Sequence, residues 1–441
     1  MPNPISSLAG NWAEPLTFLL MLAAFGLLAI LARWPIGLAL IAAAWAGAAT
    51  NGVYIPLRHL VEGAFSYLDP ILVIATAMIF MRTLADGGAL SAIGAAVERR
   101  FGAKPMLLLP LLMLIVMFPG MVTGSSTASV LTTGAMAASI LAGLGLERAR
   151  AAAIIAMGGV LGMVAPPVNI PAMIIGTGID LPYSGFDIPL ALASFPLAIV
   201  VVYGLAWPGL HRQEPGSTSR PGGALEAGRP EEPPFVSVPR ALVPPAVAAI
   251  LMLAPRIAPN RIPDLGLPLI FLLSCLVGIM ALPRFALIAS MLRAIEEALP
   301  VLGILCGVGA FIQVMTLTGG RGWLVSLMTA APPWALFAAA GVSMPLFGAV
   351  SAFGSASVLG VPFLLALLGR NEIVTAAALS LLAALGDLML PAALAATLAA
   401  QVAGEPDRMQ VLRLCVAPAL LTIAFAILML LLAPDLGRWL L

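Results

Sequence analysis

Charge is what this 441-residue chain has least of: Asp, Glu, Lys and Arg make up 9% of it and hydrophobic residues 61%, whereas an ordinary soluble domain carries roughly 25% charged residues. A soluble fold has too small an interior to hide that much apolar surface. The formal charge of +1 argues against a nucleic-acid partner and against a large polybasic membrane patch. Cysteine and histidine are scarce too. Cys275, Cys306 and Cys415 lie far apart in apolar stretches without a CxxC pairing, and His59 and His211 are the only imidazoles, so the cysteines read as small core residues and not as metal ligands. HExxH, GxSxG, paired histidines and clustered intramembrane acids are all missing. Their absence weighs against a membrane-embedded lipid-modifying enzyme, the rival from another functional class. Residues 1–14 hold no Lys or Arg and no small-residue cleavage pattern, so the first apolar run reads as a retained helix, not a secretory signal.

What the chain does contain is apolar runs, at 15–32, 265–282 and 416–433 among others, each reaching the roughly 18 residues that begin to span a hydrocarbon core of about 30 Å. They predict an all-α polytopic membrane protein. Spans are expected near 16–33, 36–53, 67–85, 105–122, 127–145, 151–178 and 188–208, then near 241–254, 266–282, 297–318, 324–350, 356–369, 374–402 and 411–433. One segment interrupts them. Residues 211–240, rich in Pro, Gly, Ser, Arg and Glu, read as a solvated linker between a first repeat, 1–210, and a second, 241–441.

The halves echo one another. The stretch 120–131, Gly-Met-Val-Thr-Gly-Ser-Ser-Thr-Ala-Ser-Val-Leu, aligns without a gap on 348–359, Gly-Ala-Val-Ser-Ala-Phe-Gly-Ser-Ala-Ser-Val-Leu. Upstream, Thr83-Leu84 with Gly87 answers Thr316-Leu317 with Gly320; downstream, Gly162 with Pro166-Pro167 answers Gly386 with Pro391. Three landmarks in one order point to an internal duplication, and duplicated halves, frequently inverted, are the usual build of secondary transporters, with the solute site at their interface. Arg212, Arg220, Arg229 and Arg240 would put the linker in the cytoplasm.

The breaks inside apolar stretches carry the chemistry. Backbone freed by Gly-Ser-Ser-Thr or Pro-Pro-Val-Asn cannot be left facing lipid, so it must face protein or a water-filled cavity. Half-helix N-termini suit anions, and hydroxyls and carbonyls suit hard cations such as sodium. The candidate solute ligands are therefore Thr123, Ser125, Ser126, Thr127 and Asn169 in the first half, with Ser355 and Ser357 in the second. Close helix packing by Gly and Ser is the competing structural reading. Asp387 is an acid in mid-span, a place where ionisable groups are costly and usually functional. It suits sodium as a carboxylate; alternatively it carries the coupling proton. Asp69, Arg82 and Asp86 read as interfacial, Gln313 as a helix-to-helix hydrogen bond, and Glu62, Glu296 and Glu297 as lying on amphipathic stretches along the membrane surface.

These motifs resemble the large membrane subunit of tripartite ATP-independent periplasmic (TRAP) transporters, within the wider ion transporter superfamily. The likeness is carried by Trp34-Pro-Ile-Gly-Leu-Ala-Leu40, the Gly-Ser-Ser tip in 120–131 and the Gly-x-x-x-Pro-Pro break at 162–167. It implies two inverted repeats with broken helices and re-entrant hairpins, an elevator-type transporter of the inner membrane, and sodium sites around Gly124, Ser125, Ser126, Pro166, Pro167, Gly354, Ser355, Gly386 and Pro391. It implies sodium-coupled import of carboxylates such as C4-dicarboxylates or sialic acid, without an organic cofactor. Its implied partners are a small membrane subunit and an extracytoplasmic solute-binding protein, besides membrane lipid; a homodimer is left open. Two departures stand out: Asn169 follows Pro-Pro-Val where the family usually has Ser straight after the prolines, and the second half has Gly-Asp-Leu-Met-Leu-Pro in place of a double proline. They keep open a stand-alone, proton-coupled member of the same superfamily.

Overall fold

A computed structural model describes residues 12–210, 236–258, 261–283 and 285–440. Of the expected linker, 211–235 lies outside the described residues, and so does most of 1–14. Nineteen helices and no strand are found among the described residues. The first half comprises α1 (Ala13–Gly26, continued by a π turn Leu27–Leu31), α2 (Ile36–Thr50), α3 (Leu57–Phe65), α4 (Leu68–Asp86), α5 (Ala89–Phe101), α6 (Pro105–Thr123), α7 (Ser126–Gly143), α8 (Arg148–Val164), α9 (Ile170–Thr177) and α10 (Asp187–Leu210). The second comprises α11 (Val238–Ile257), α12 (Gly266–Ala281), α13 (Leu287–Leu317), α14 (Gly320–Thr329), α15 (Pro333–Gly348), α16 (Ala352–Ala366), α17 (Glu372–Ala384), α18 (Leu394–Ala403) and α19 (Arg408–Leu440). Eight of these stretches are long and apolar enough to cross a membrane.

The expected spans fall on helices, with three differences. Residues 324–350 are two helices, because Pro332 and Pro333 end α14 and start α15: proline lacks an N–H and disfavours helix in the residue before it. The amphipathic stretch with Glu296 and Glu297 is fused into the 31-residue α13, whereas its counterpart with Glu62 is the separate helix α3. And α11 begins at Val238, inside the stretch read as linker, with Pro239 in its first turn, where a missing N–H is harmless.

Packing sorts the helices into two groups. The long α13 lies against α2, α3 and α4, and α12 joins α4 and α11 to them. The glycines 63 and 309 bring α3 and α13 to backbone contact, since a Cβ on Gly63 would stand 2.4 Å from the Gly309 carbonyl oxygen. The other group holds the two hairpins, α6–α7 and α15–α16, and the two broken helices, α8–α9 and α17–α18, flanked by α10 and α19. Here the halves interlock: α9 packs on α16 and α17 of the second half, and α18 packs on α7 and α8 of the first. Each broken helix therefore lends its far piece to the other half's hairpin.

The duplicated glycines set how closely these pieces meet. A Cβ on Gly120 would lie 2.9 Å from the Gly162 carbonyl carbon, and one on Gly386 only 2.3 Å from the Gly348 Cα. In both halves the first limb of the hairpin thus rests directly on the broken helix, through the pair of glycines that the repeat preserves. The fold also repeats a left-handed cap, Gly88 (φ 73°) before α5 and Gly319 (φ 77°) before α14.

Candidate functional site

Each hairpin turns at a short unwound tip. In the first, Gly124 takes φ 64°, a conformation costly for any residue with a Cβ, and Ser125 then caps α7 by accepting a hydrogen bond from the Ala128 amide at 3.3 Å. The second tip starts its helix earlier: Ser351 is the cap, accepting from the Gly354 amide at 3.1 Å, and a π turn follows at Ala356–Gly360. Such π turns are common at functional sites.

The breaks lie beside the tips, and their backbone donors are accounted for. The Ala165 amide donates back to Leu161, the Val168 amide reaches Met121 of α6 at 3.1 Å, and the Asn169 amide reaches the Tyr183 hydroxyl at 3.0 Å; Pro166 and Pro167 have no N–H to satisfy. In the second break a 3₁₀ turn, Leu385–Leu388, presents Asp387, and Ala393 is held at φ 42° before α18. Both breaks carry a cis X-Pro peptide, Pro166-Pro167 and Leu390-Pro391.

These pieces enclose one cavity of about 240 Å³. From the first tip it receives Ser125, Ser126 and Thr127, from the second Ser351, and from the second break Gly386 and Asp387. Pro300, Val301 and Ile304 of α13 close it on the side of the other helix group. Ser126 Oγ donates to Asp387 Oδ2, so side chains 261 residues apart meet across the two halves. Ser125 and Thr127 hydroxyls bond each other at 2.9 Å. Among the described residues no Lys, Arg or His lines this cavity, and Asp387 is its only acid. Its donors are hydroxyls and the N-termini of α7 and α16.

A family model described as the tripartite ATP-independent periplasmic transporter, DctM component, matches residues 19–436. The chain belongs to that family. It is accordingly a multi-pass protein of the inner membrane and a secondary transporter component, from a family of transporters rather than enzymes that normally works with other TRAP components. No curated protein matches it. Its fold is like that of the YdaH transporter of Alcanivorax borkumensis, at a TM-score of 0.62 and 16% identity over 98% of each chain. It is also like Neisseria gonorrhoeae MtrF, described as illuminating a class of antimetabolite efflux pumps, at a TM-score of 0.59 and 15% identity, over 99% of this chain and 96% of that one.

The site residues expected from sequence separate into two sets. Ser125, Ser126, Thr127, Gly386 and Asp387 line the cavity; Thr123 lines a neighbouring one, and its hydroxyl donates to the Pro119 carbonyl at 2.7 Å. Asn169, Ser355 and Ser357 are fully buried and do not line it. The Asn169 amide donates to the Val164 carbonyl at 3.0 Å and to Ser380 at 2.8 Å, and its oxygen caps α9 through the Ala172 amide at 2.9 Å. It braces the first break against α17. Ser355 donates to Met344 and Ser357 to Gly354, both within the second hairpin. Gly354 supplies the amide that Ser351 caps, and Pro166 and Pro167 shape the first break away from this cavity's lining. Arg82 and Asp86, expected at an interface, pair with each other at 3.1 Å, while Arg82 also pairs with Glu297 at 3.0 Å beside the first tip.

Proposed function

We propose that this chain carries small organic acids inward across the membrane, coupled to sodium, by alternating access between the hairpin body and the helix group built on α13. The observation that carries the proposal is the single cavity in which Ser126 of one half bonds Asp387 of the other, with both hairpin tips on its wall. A carboxylate among hydroxyls suits a hard cation, while the positive ends of α7 and α16 suit the carboxylate of a solute. A cation at Asp387 would also relieve repulsion between that acid and an anionic solute, which is a physical route to coupling.

The elevator form follows from the division of the helices: α6–α10 and α15–α19 interlock and would move together against α2–α4 and α11–α13. Arg148 donates to the Gly404 carbonyl and Arg150 to the Leu205 carbonyl, which puts the start of α8 on the same face as the ends of α18 and α10. The base of the first hairpin, preceded by Arg99, Arg100 and Lys104, is tied to the same end of α10 by the Tyr203 hydroxyl on the Met106 carbonyl, and the positive-inside rule favours the cytoplasm for it; that α8 starts where α18 ends favours inverted repeats. A small membrane subunit and an extracytoplasmic solute-binding protein are the proposed partners.

Uptake of labelled succinate, citrate and N-acetylneuraminate into proteoliposomes, under a sodium gradient alone and a proton gradient alone, tests the coupling. Sodium-driven, saturable uptake of at least one acid is expected. Uptake indifferent to sodium but driven by protons would replace this reading with the proton-coupled one, in which Asp387 carries the proton.

A further inference from the structure

Beside the cavity holding Asp387 lies a second, of about 440 Å³, and the two share Ser125, Thr127, Pro300 and Val301. A path past the first tip would run along these shared residues. Arg82 is the only cationic side chain lining either, among the described residues. It stands four residues before the end of α4, the helix that leads through α5 to the base of the first hairpin.

The two partners of this guanidinium are held very differently. Asp86 accepts from Nε at 3.1 Å, and it also accepts from the Ser290 hydroxyl at 2.5 Å and faces Arg293 at 3.9 Å, so it is fixed whether or not Arg82 moves. Glu297 accepts from Nη1 at 3.0 Å, its side chain is 51% exposed, and no other hydrogen bond or ion pair holds it among the described residues. An exposed pair of that kind is weak and exchangeable. A guanidinium has five N–H donors, of which two are used here, and its planar fork matches a carboxylate.

We infer that Arg82 is the specificity-determining residue of this path, gripping the carboxylate of a passing organic acid, and that Glu297 is the internal carboxylate it releases in exchange. The inference rests on the organic-acid reading above. The exchange keeps the charge accounting balanced, because Arg82 faces an anion before, during and after passage and no desolvated charge is left alone. Asp86 stays bonded throughout and aims the fork. The competing role is a plain clamp between α4 and α13.

Thermal-shift titration of the full chain in detergent with sodium, using succinate, citrate and gluconate, separates these roles, since a ligand raises apparent stability by mass action. At least one acid should stabilise the unaltered protein. For that acid, Arg82→Gln and Arg82→Lys should raise the apparent Kd about ten- to hundredfold, as expected for losing a charge-assisted bidentate pair. Glu297→Gln should lower it, because the competing carboxylate is gone. A clamp would instead lower the unliganded melting temperature in all three variants and leave Kd alone. An unchanged Kd in the Arg82 variants, or a raised one in Glu297→Gln, overturns the inference while leaving the organic-acid reading intact. If no acid stabilises the unaltered protein, that reading fails and this one falls with it. Should Arg82→Gln not fold, Arg82→Lys and Glu297→Gln decide.

Discussion

Removing the Ser126 hydroxyl probes the place where the halves meet. Ser126 is 1% exposed at the start of α7, and its Oγ is the only hydrogen-bond donor to Asp387 among the described residues. A hydrogen bond to a charged group contributes about 1.5–3 kcal/mol, and with about 1.4 kcal/mol per tenfold the Ser126→Ala variant should lose roughly ten- to hundredfold in whichever equilibrium uses the contact. Alanine is a good helix former and deletes one atom, so the fold should bear the change. If Asp387 holds the coupling ion, the loss falls on sodium: the half-saturating sodium concentration for uptake rises by that factor, while the melting temperature moves little. Asp387→Asn removes the charge but keeps the shape and an acceptor for Ser126. It should abolish sodium-driven uptake without lowering the melting temperature, since a neutral amide costs less to bury than a carboxylate. Because the two residues act through one contact, the double variant should be no worse than Asp387→Asn alone. The assay is the initial rate of uptake into proteoliposomes across a sodium series, with thermal unfolding of the same preparations alongside. Full sodium-driven uptake by Asp387→Asn, or additive losses in the double variant, would refute the reasoning.

Three further outcomes follow from the packing. Gly386→Ala puts a Cβ 2.3 Å from the Gly348 backbone and should destabilise by about 1–3 kcal/mol in thermal unfolding, the usual cost of overpacking, whereas Gly322→Ala, which meets nothing within 4 Å, should be neutral. Asn169→Ala removes the α9 cap and leaves buried polar groups at Val164 and Ser380 short of a partner, a loss of about 2–4 kcal/mol, so its effect on uptake should follow its effect on folding. Ser355→Ala and Ser357→Ala break bonds internal to the second hairpin and should leave the sodium dependence of uptake unchanged; a shifted sodium response in either would return these hydroxyls to the ion path.

The spans were legible because a bilayer demands long apolar runs, and such runs need no knowledge of neighbours. The expected spans leave out the amphipathic α5: Ala89–Phe101 is short and ends in Glu98, Arg99 and Arg100, so it fails the test for a span, although Gly87-Gly88 before it and Gly102 after it are the punctuation of a separate element. Pro332-Pro333 likewise marked the break within 324–350, but the apolar residues on either side outweighed it. The tips were legible as motifs and less so as geometry. The gapless alignment pairs Thr127 with Ser355 and Ser129 with Ser357, yet the structure puts Ser351 on the cavity wall, because the second helix starts two residues early in that alignment and then passes into a π turn. No local pattern signals a π turn. Nor does any local pattern show that α9 and α18 cross into the opposite halves, which is what brings Ser126 to Asp387.

The two breaks share backbone landmarks and differ in chemistry. Counting from the paired glycines 162 and 386, Pro167 corresponds to Pro391, Met163 to Asp387 and Asn169 to Ala393. Met163 and Asp387 line the same cavity, so one half contributes a thioether where the other contributes the single acid. Asn169 caps its short helix with a side chain, while Ala393 enters α18 through a left-handed residue with no side-chain cap. A second carboxylate in place of Met163 would put two like charges in one small cavity, where at most one would ionise readily. With one acid, a single monovalent cation neutralises the site and leaves the N-termini of α7 and α16 free for an anionic solute. On the proposed function, Met163→Asp should therefore spoil coupling more than Met163→Leu, which keeps volume and polarity. Equal, sodium-driven uptake by both variants would mean that the charge asymmetry of the two breaks is not what couples ion to solute.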